Sequence, residues 1–297
     1  MNRQPLDSSF RDPSGFVFTR AGILYRQVNR VFQEEFEAVT ASGLYQELAR
    51  DGLLVPHQAV ALDLAATAEA VAVLQPEPVR FISYPYEWSF GQLRDAALLT
   101  LEIQERALAK GLTLRDASAY NVQFDAGRPV FIDTLSFEPR KEGTPWVAYR
   151  QFCEHFLAPL ALMSRVNVDL GSLLRTHLDG IPLELAARLL GARSWVRAGL
   201  LLHVQLHALA QRRYRDRPPE PGVVRRGVSA QTVQGLVRSL RSVVEGLAWN
   251  PGGTEWSDYT DDNNYSDEAA RSKRDLVTHM LRGRGACTVW DLGANTG

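Results

Sequence analysis

The chain has 297 residues, of which 45% are hydrophobic and 23% are charged. This length suits about two globular domains, and the composition excludes a disordered or fibrous protein. The 33 basic and 34 acidic side chains leave a net charge of −1. The overall charge therefore gives no reason to expect a nucleic acid as partner.

No stretch of the sequence approaches the roughly 20 apolar residues that a membrane span needs. The N-terminus also lacks the apolar core of a signal peptide, so we expect a cytoplasmic protein with no membrane partner. The two cysteines, Cys153 and Cys287, belong to no Cys/His cluster of the kind that binds zinc. We expect both to be free thiols in the interior.

The first 110 residues alternate between strand and helix patterns. The β-prone runs 16–18 and 23–25 predict a hairpin. Apolar residues at helical spacing over 31–53 then predict two consecutive helices. The run 79–86 is typical of a strand stopped by proline, and the apolar positions over 92–110 predict a long helix that ends before a glycine.

Short β-prone runs follow this long helix, at 112–114, 121–124 and 129–133. The turn between the last two runs predicts a second hairpin. From about 146 to 210 the pattern is helical, with breaks expected at one proline, Pro159, and at three glycines. Arginines and prolines over 211–227 predict a linker. An RNA contact is the alternative role for these arginines, although no aromatic platform accompanies them.

Two more helices and one strand are predicted beyond the linker. Ser229 and Ser266 each precede apolar residues at helical spacing, which makes both of them helix N-caps. An acidic and aromatic loop, 256–265, separates the two helices. Its aromatic residues either cover a cofactor or pack against the second helix. The apolar run 287–290 then predicts a strand that ends at an aspartate.

The last seven residues combine that aspartate with closely spaced glycines. Asp291, Gly293, Asn295 and Gly297 follow the predicted strand. Glycine lets the main chain approach a ligand closely, and asparagine tolerates left-handed geometry. An acid just before the first glycine disfavours a pyrophosphate and favours a cofactor without phosphates at this point. A plain strand-to-helix turn is the alternative interpretation.

This segment resembles the first motif of class I S-adenosylmethionine-dependent methyltransferases, with the middle glycine replaced by Asn295. The resemblance implies that Asp291, Gly293, Asn295 and Gly297 bind S-adenosylmethionine. The sequence stops within the motif, whereas a doubly wound sheet needs several βα units. We therefore expect an N-terminal fragment that holds the first helices and first strand of a truncated Rossmann-like methyltransferase domain.

A second motif lies in the centre of the chain. Asp116 and Asn121 form a D-x-x-x-x-N pattern between the long helix and the second hairpin, and Asp133 follows that hairpin. In phosphoryl transfer an acid orients the acceptor hydroxyl, while an asparagine and a second acid hold Mg²⁺ against the phosphates. In such a site Asp116 is the catalytic base, and Asn121 and Asp133 are the metal ligands.

This spacing resembles the catalytic and metal-binding loops of the protein-kinase-like superfamily, closest to the aminoglycoside and choline phosphotransferase branch. The resemblance implies a bilobal domain over 1–210, with a small lobe at about 10–80 and a helical lobe at about 81–210. The sequence departs from this family because residues 1–109 contain no lysine. The phosphate-binding lysine therefore has no counterpart.

One of Arg20, Arg26 and Arg30 would have to take the place of that lysine. A planar guanidinium differs in shape and reach from a compact ammonium. Glu34 and Glu35 occupy the region of the helix acid that pairs with the kinase lysine. Without that lysine, we expect the two glutamates to be solvated or paired with arginine.

His203 and His207 lie four residues apart on a predicted helix. Two histidines at this spacing can bind a metal, but the adjacent glutamate of the zinc-protease motif is missing. We therefore predict an ordinary helix surface here.

Taken together, the chain resembles a family of bacterial class I methyltransferases with a kinase-like N-terminal region, some of them labelled nodulation-related. The stretches 83–88, 116–123 and 149–153 carry this resemblance. We predict an α+β chain with a kinase-like domain at 1–210, a linker at 211–227 and an incomplete methyltransferase domain at 228–297.

The function implied is methyl transfer to an unknown acceptor, such as a small or carbohydrate-like molecule, with the kinase-like domain as a substrate-binding or structural module. Two alternatives stay open: a phosphotransferase that uses Mg-ATP, and a non-catalytic binding module.

Overall fold

The computed structural model describes residues 4–5, 12–191, 203–204, 227–250, 266–285 and 288–289. The chain divides into two compact units, Met1–Trp249 and Asn250–Gly297. The described part of the first unit contains both helices and antiparallel strands, so the fold is α+β, as predicted.

A five-stranded antiparallel sheet forms the N-terminal part of the first unit, with strand order β1-β2-β3-β5-β4. The strands are Gln4–Pro5 (β1), Gly15–Arg20 (β2), Ile23–Asn29 (β3), His57–Val60 (β4) and Ala70–Pro76 (β5). β2 and β3 form the first predicted hairpin. Its turn contains Gly22, whose φ of +79° is a left-handed value that glycine adopts without strain.

The strand predicted at 79–86 is wrong. After β5 the chain has neither strand nor helix until a 3-10 turn at Pro85–Glu87. Prolines at 76, 78 and 85 remove backbone donors that a strand in a sheet would use. The sheet is instead completed by β4 and β5, which the sequence analysis did not predict.

Two short helices, α1 (Gln33–Ala41) and α2 (Leu44–Arg50), follow the hairpin as predicted. Helix α3 (Phe90–Ala109) begins at Ser89, which forms a capping box with Gln92. Strand β6 (Leu112–Leu114) pairs with β9 (Phe137–Pro139), and β7 (Val122–Asp125) pairs with β8 (Arg128–Phe131) as the second predicted hairpin.

A continuous helical stretch then runs through α4 (Tyr149–Phe152), a π-turn (Cys153–Leu157) and α5 (Ala158–Arg165). We predicted a break at Pro159, but the proline only widens the helix. Because proline has no N–H and its ring crowds the carbonyl four residues earlier, a regular turn cannot form there. The N–H of Ala158 bonds instead to the carbonyl of Cys153.

A 3-10 helix (Val168–Arg175) follows α5, and two further α-helices belong to the first unit: α6 (Leu183–Leu190) and α7 (Ala230–Glu245). Ser229 caps α7 as predicted, since its Oγ accepts the N–H of Thr232 at 3.1 Å. We assigned this helix to the C-terminal domain that was expected to begin at 228. The structure places α7 in the first unit, where it packs against α3.

In the second unit the structure describes α8 (Asp267–Arg282), which Ser266 caps as predicted. Almost all of the predicted linker, the loop 256–265 and the motif 291–297 lie outside the described residues. Of the predicted strand 287–290, only Thr288 and Val289 are described, and neither belongs to a strand.

Within the described ranges, every helix is too short or too polar to cross a lipid bilayer.

Candidate functional site

The candidate site lies under the inner face of the five-stranded sheet. Alternate residues of a strand point to the same face, so Arg26 and Val28 of β3 share this face, with Leu74 opposite Arg26 on β5. Leu135 is fully buried and packs against Val28 and Leu74. The segment that follows Asp133 therefore fills the underside of the sheet.

The structure brings Asp116, Asn121 and Asp133 together. The side-chain amide of Asn121 donates to Ser136 Oγ at 3.2 Å, and the Ser136 hydroxyl donates to Asp133 Oδ2 at 2.5 Å. The Asn121 carbonyl also accepts the N–H of Ile132 at 2.8 Å, which fixes the loop against the end of β8. Asp116 lies close enough to Asp133 that the negative charge on Asp133 raises the pKa of Asp116.

Asp133 forms an ion pair with Arg26, one of the three arginines named from the sequence. Arg26 Nη2 lies 2.5 Å from Asp133 Oδ1, and the two side chains are 15% and 16% exposed. The N–H of Leu135 also donates to Oδ1, at 3.1 Å. Together with the Ser136 hydroxyl on Oδ2, these donors occupy both oxygens of the Asp133 carboxylate.

Asp116 is held by two groups beside the loop. Its Oδ1 accepts the N–H of Ser118 at 2.8 Å. Gln151, on α4, accepts the N–H of Ala117 at 2.8 Å, and its side-chain amide lies close enough to Asp116 to lower the pKa of that carboxylate. Burial is the main cause that raises the pKa of Asp116, and these hydrogen bonds only partly oppose it. Asp116 is therefore a carboxyl group that takes up a proton more readily than an exposed aspartate.

A Mg²⁺ ion does not fit the metal ligands that the sequence predicts. Mg²⁺ takes oxygen ligands at about 2.1 Å in an octahedron. Both oxygens of Asp133 already accept hydrogen bonds, and the guanidinium of Arg26 faces the oxygen that an ion would use. Asn121 and Asp133 are instead joined through Ser136. The described residues also contain no group of three or more His, Cys, Asp or Glu side chains placed to hold a metal.

Arg115, the residue before Asp116, connects the loop to the start of β2. Its Nη2 donates to Asp12 Oδ2 at 3.0 Å and to Ser14 Oγ at 2.7 Å. Its Nε donates to the Leu135 carbonyl at 3.0 Å, and its guanidinium lies 4.6 Å from the centre of the Phe32 ring. One side chain therefore fixes the sheet, the loop and the segment after Asp133 to each other.

The three stretches that carried the family resemblance lie next to each other. The N–H of Ser83 donates to Gln123 Oε1 at 2.9 Å, and Gln123 Nε2 donates to the Ser83 carbonyl at 3.0 Å. This amide pair joins the stretches 83–88 and 116–123. The stretch 149–153 contacts the same loop through Gln151, which accepts the N–H of Ala117. Gln123 and Gln151 were not predicted as site residues, because their roles come from contacts between stretches that lie far apart in the sequence.

An aromatic surface lies beside this loop. Tyr84 and Tyr86 are stacked, with ring centres 5.4 Å apart and an angle of 8° between their planes. Arg175 lies 6.0 Å from the centre of the Tyr86 ring. Tyr84 and Tyr86 both act on the pKa of Tyr120, which places that side chain of the D-x-x-x-x-N loop near the stack. Tyr84 is 44% exposed, so part of this aromatic surface is accessible to solvent.

Three grooves are lined by residues other than Asp116, Asn121 and Asp133. One of about 470 Å³ is bordered by the segments 52–56, 77–79 and 125–130, and one of about 300 Å³ is bordered by the segment 144–147. The smallest, of about 190 Å³, is lined by Glu34, Glu35 and Glu138 together with Arg140 and Lys141. Glu34 and Glu35 therefore share a groove with two basic side chains.

His203 is fully buried, so the prediction of an ordinary helix surface is wrong for this residue. Its Nδ1 lies 2.7 Å from the Tyr149 hydroxyl and its Nε2 lies 3.0 Å from Ser239 Oγ. Both ring nitrogens therefore have hydrogen-bond partners within the core. His207 lies outside the described residues. Cys153 is a buried free thiol as predicted, and burial raises its pKa to about 12. Cys287 also lies outside the described residues.

Comparison with known proteins identifies a similar curated relative and similar solved structures. The chain is 35% identical over 294 residues to "Nodulation protein NoeA" of Rhizobium meliloti (strain 1021). The alignment covers 97% of this chain and 61% of NoeA, so the chain spans less than two thirds of that protein.

Among solved structures, the chain is similar to vaccinia related kinase 3, with a TM-score of 0.36 and 10% identity over 84% of this chain and 90% of that one. Similarity at this level does not establish a shared fold. No family model matches the sequence.

Proposed function

We propose that the chain belongs to an S-adenosylmethionine-dependent methyltransferase, in which the first unit is a kinase-like module that binds the methyl acceptor. The ion pair between Arg26 and Asp133 carries the assignment of the first unit as a binding module. Arg26 neutralises the Asp133 carboxylate, which would bind a metal ion in a phosphotransferase. The hydrogen bonds of Asp116 and Asn121 meanwhile hold the D-x-x-x-x-N loop in place.

The aromatic surface beside the loop supports a small polar acceptor with apolar faces, such as a carbohydrate-like molecule. Tyr84 offers a partly exposed aromatic side chain with a hydroxyl, and Tyr120 lies next to the stack. Binding sites of this kind combine aromatic surfaces with a few polar groups that fix orientation.

The cofactor assignment depends on Asp291, Gly293, Asn295 and Gly297. S-adenosylmethionine, when bound, supplies a methyl group on a sulfonium sulfur, which an acceptor atom attacks in line. Holding acceptor and methyl group in that alignment accounts for most of the rate in such a reaction. NoeA has a substantial part beyond the aligned 61%, which leaves room in that relative for further strands of a cofactor domain.

Calorimetry with S-adenosylmethionine tests this proposal on the protein expressed from its natural gene. We expect binding by the wild type and by the control Asp125→Ala, which changes an exposed hairpin turn of the first unit. We expect no binding by Asp291→Ala. No heat from the wild type, or equal heat from Asp291→Ala, would contradict the proposal.

Phosphotransfer is the second candidate, because Asp116 has a raised pKa and lies close to Asn121 and Asp133. A general base with a pKa closer to neutrality is more effective. Calorimetry with Mg-ATP separates the two candidates. Binding that disappears in Asp133→Ala favours phosphotransfer, whereas no heat from the wild type favours the binding module.

A further inference from the structure

We propose that Arg26 is the resident cation of this site. Its guanidinium takes the position beside Asp133 that a divalent cation would otherwise occupy. The site therefore takes up no divalent cation while Arg26 is present, and it becomes a divalent-cation site when a neutral residue replaces Arg26. This inference concerns the first unit alone and does not depend on methyl transfer.

The buried carboxylate of Asp133 needs a compensating positive charge. Asp133 is only 16% exposed, and a carboxylate removed from water needs a compensating charge and hydrogen bonds. Arg26 is the one basic side chain of the described residues within ion-pair distance of Asp133. In most sites with this type of acid and asparagine, the compensating charge comes from Mg²⁺. Here the guanidinium of Arg26 provides that positive charge.

The Arg26 side chain is also enclosed at the centre of the sheet. Arg26 lies in the middle of the sheet, opposite Val17 on β2 and Leu74 on β5. Its Nε is buried and has no hydrogen-bond partner among the described residues, so the contact with Asp133 is the polar interaction that holds the guanidinium. Because the Arg26 side chain is only 15% exposed, it has little room to move away and admit an ion.

Without Arg26, several oxygen atoms would remain around Asp133. Asp133 Oδ1 would lose its strongest donor, and the carboxylate of Asp116, the side-chain oxygen of Asn121 and the hydroxyl of Ser136 lie in the same region. Carboxylate, amide and hydroxyl oxygens are the ligands that Mg²⁺ and Mn²⁺ prefer. Removing the Arg26 guanidinium therefore leaves oxygen ligands suited to Mg²⁺ or Mn²⁺.

Binding of Mn²⁺ by the full chain tests this inference, followed by the loss of the electron paramagnetic resonance signal of free Mn²⁺. We compare the wild type with Asp133→Asn, Arg26→Gln and the double variant Arg26→Gln/Asp133→Asn. Arg20→Gln is the matched control, since Arg20 lies in the same hairpin and donates to the carbonyl of Asp63 rather than to Asp133.

We expect the wild type, Asp133→Asn and Arg20→Gln to bind Mn²⁺ equally weakly. Arg26→Gln should gain one bound Mn²⁺, with an affinity at least tenfold above that of the wild type, and the double variant should lose it again. Mn²⁺ should also raise the unfolding temperature of Arg26→Gln alone.

Two results would overturn the inference. The first is a wild-type protein that binds Mn²⁺ more tightly than Asp133→Asn does. The second is an Arg26→Gln protein that binds no more Mn²⁺ than the wild type. The first comparison needs no Arg26 variant, so it tests the first part of the inference even if Arg26→Gln does not fold. Arg26→Met serves as a second neutral replacement for testing the second part.

Discussion

His155 is a titratable side chain in the core beside the D-x-x-x-x-N loop. It lies in the π-turn of the helical stretch, 3% exposed, and its ring meets that of Tyr120 edge-on at 6.1 Å. Its Nδ1 has no hydrogen-bond partner among the described residues. Burial lowers the pKa of His155 to about 4, and the charge of Asp179 opposes this only in part. The fold therefore holds this histidine neutral.

The low pKa of His155 makes stability depend on pH. In the unfolded chain a histidine takes up a proton near pH 6.5, whereas folded His155 does so only near pH 4. The unfolded state therefore binds more protons between these values, and stability falls as the pH falls. For this one group we expect a loss of about 2 kcal/mol between pH 7 and pH 5.

Urea unfolding at both pH values measures this effect in the wild type and in His155→Phe, which keeps an aromatic ring edge-on to Tyr120. The variant should lose about 2 kcal/mol less than the wild type over this interval. His155→Gln serves as a second variant without an ionisable ring. Equal losses in wild type and variants would show that His155 does not titrate in this way.

The sequence allowed some residues of the candidate site to be predicted and not others. Asp116, Asn121 and Asp133 could be chosen because phosphoryl transfer requires such residue types at such a spacing. Ser136 and Gln151 could not, since serine and glutamine are common polar residues whose roles here come from contacts across the fold. Arg26 was one of three candidate arginines, and only the register of β3 shows which of them faces Asp133.

At the level of elements, local patterns predicted the two hairpins and the long helix, because strand alternation, turn residues and helical spacing are local signals. The pattern failed where a tertiary contact decides the structure. The segment 79–86 is β-prone, but prolines precede it at 76 and 78 and interrupt it at 85. It lies outside the sheet, joined to β7 through Ser83 and Gln123. The burial of His203 likewise depends on α7, a helix distant from it in sequence.

The contact between β2, β3 and the segment after Asp133 depends on a glycine at the start of β2. A Cβ on Gly15 would lie 2.1 Å from the Gln27 carbonyl oxygen and 2.7 Å from Leu135 Cδ1. Gly15 has no positive φ, so the restriction is steric and involves two neighbours at once. The absence of a side chain at this position lets Leu135 pack under the sheet.

Gly15→Ala should therefore destabilise the first unit by about 2 kcal/mol, the usual cost of forcing an extra group into a packed interior. Gly22→Ala, at the other end of the same hairpin, is the matched control. No atom outside its neighbours lies within 4 Å of a Cβ there, so only the left-handed φ of +79° costs free energy, about 1 kcal/mol. Urea unfolding of both variants measures the difference. A loss in Gly15→Ala no greater than in Gly22→Ala would contradict the close packing of Leu135.

At the scale of the whole molecule, α7 joins the first unit although more than 100 residues separate it in sequence from α3. The apolar side chains Val233, Val237, Leu240 and Val244 are all buried in the main core. Arg241 also pairs with Glu105 of α3 at 2.9 Å. Burial of each apolar side chain contributes about 1.5 to 3 kcal/mol, whereas a partly exposed ion pair contributes about 0.5 kcal/mol. Apolar packing therefore decides where α7 lies. The sequence of α7 alone does not indicate that α3 is the helix it packs against.

If α7 is an integral part of the first unit, a cavity in its buried face should lower the stability of that whole unit. We expect Leu240→Ala, at a fully buried position, to cost about 3 kcal/mol. Leu276→Ala, on the exposed face of α8, should change stability by less than about 0.5 kcal/mol. Urea unfolding followed by tryptophan fluorescence and by circular dichroism should give coincident transitions, both moved to lower urea in Leu240→Ala. If instead the main transition stays in place and only a small helical signal melts early, α7 belongs to a separate domain that begins near 228.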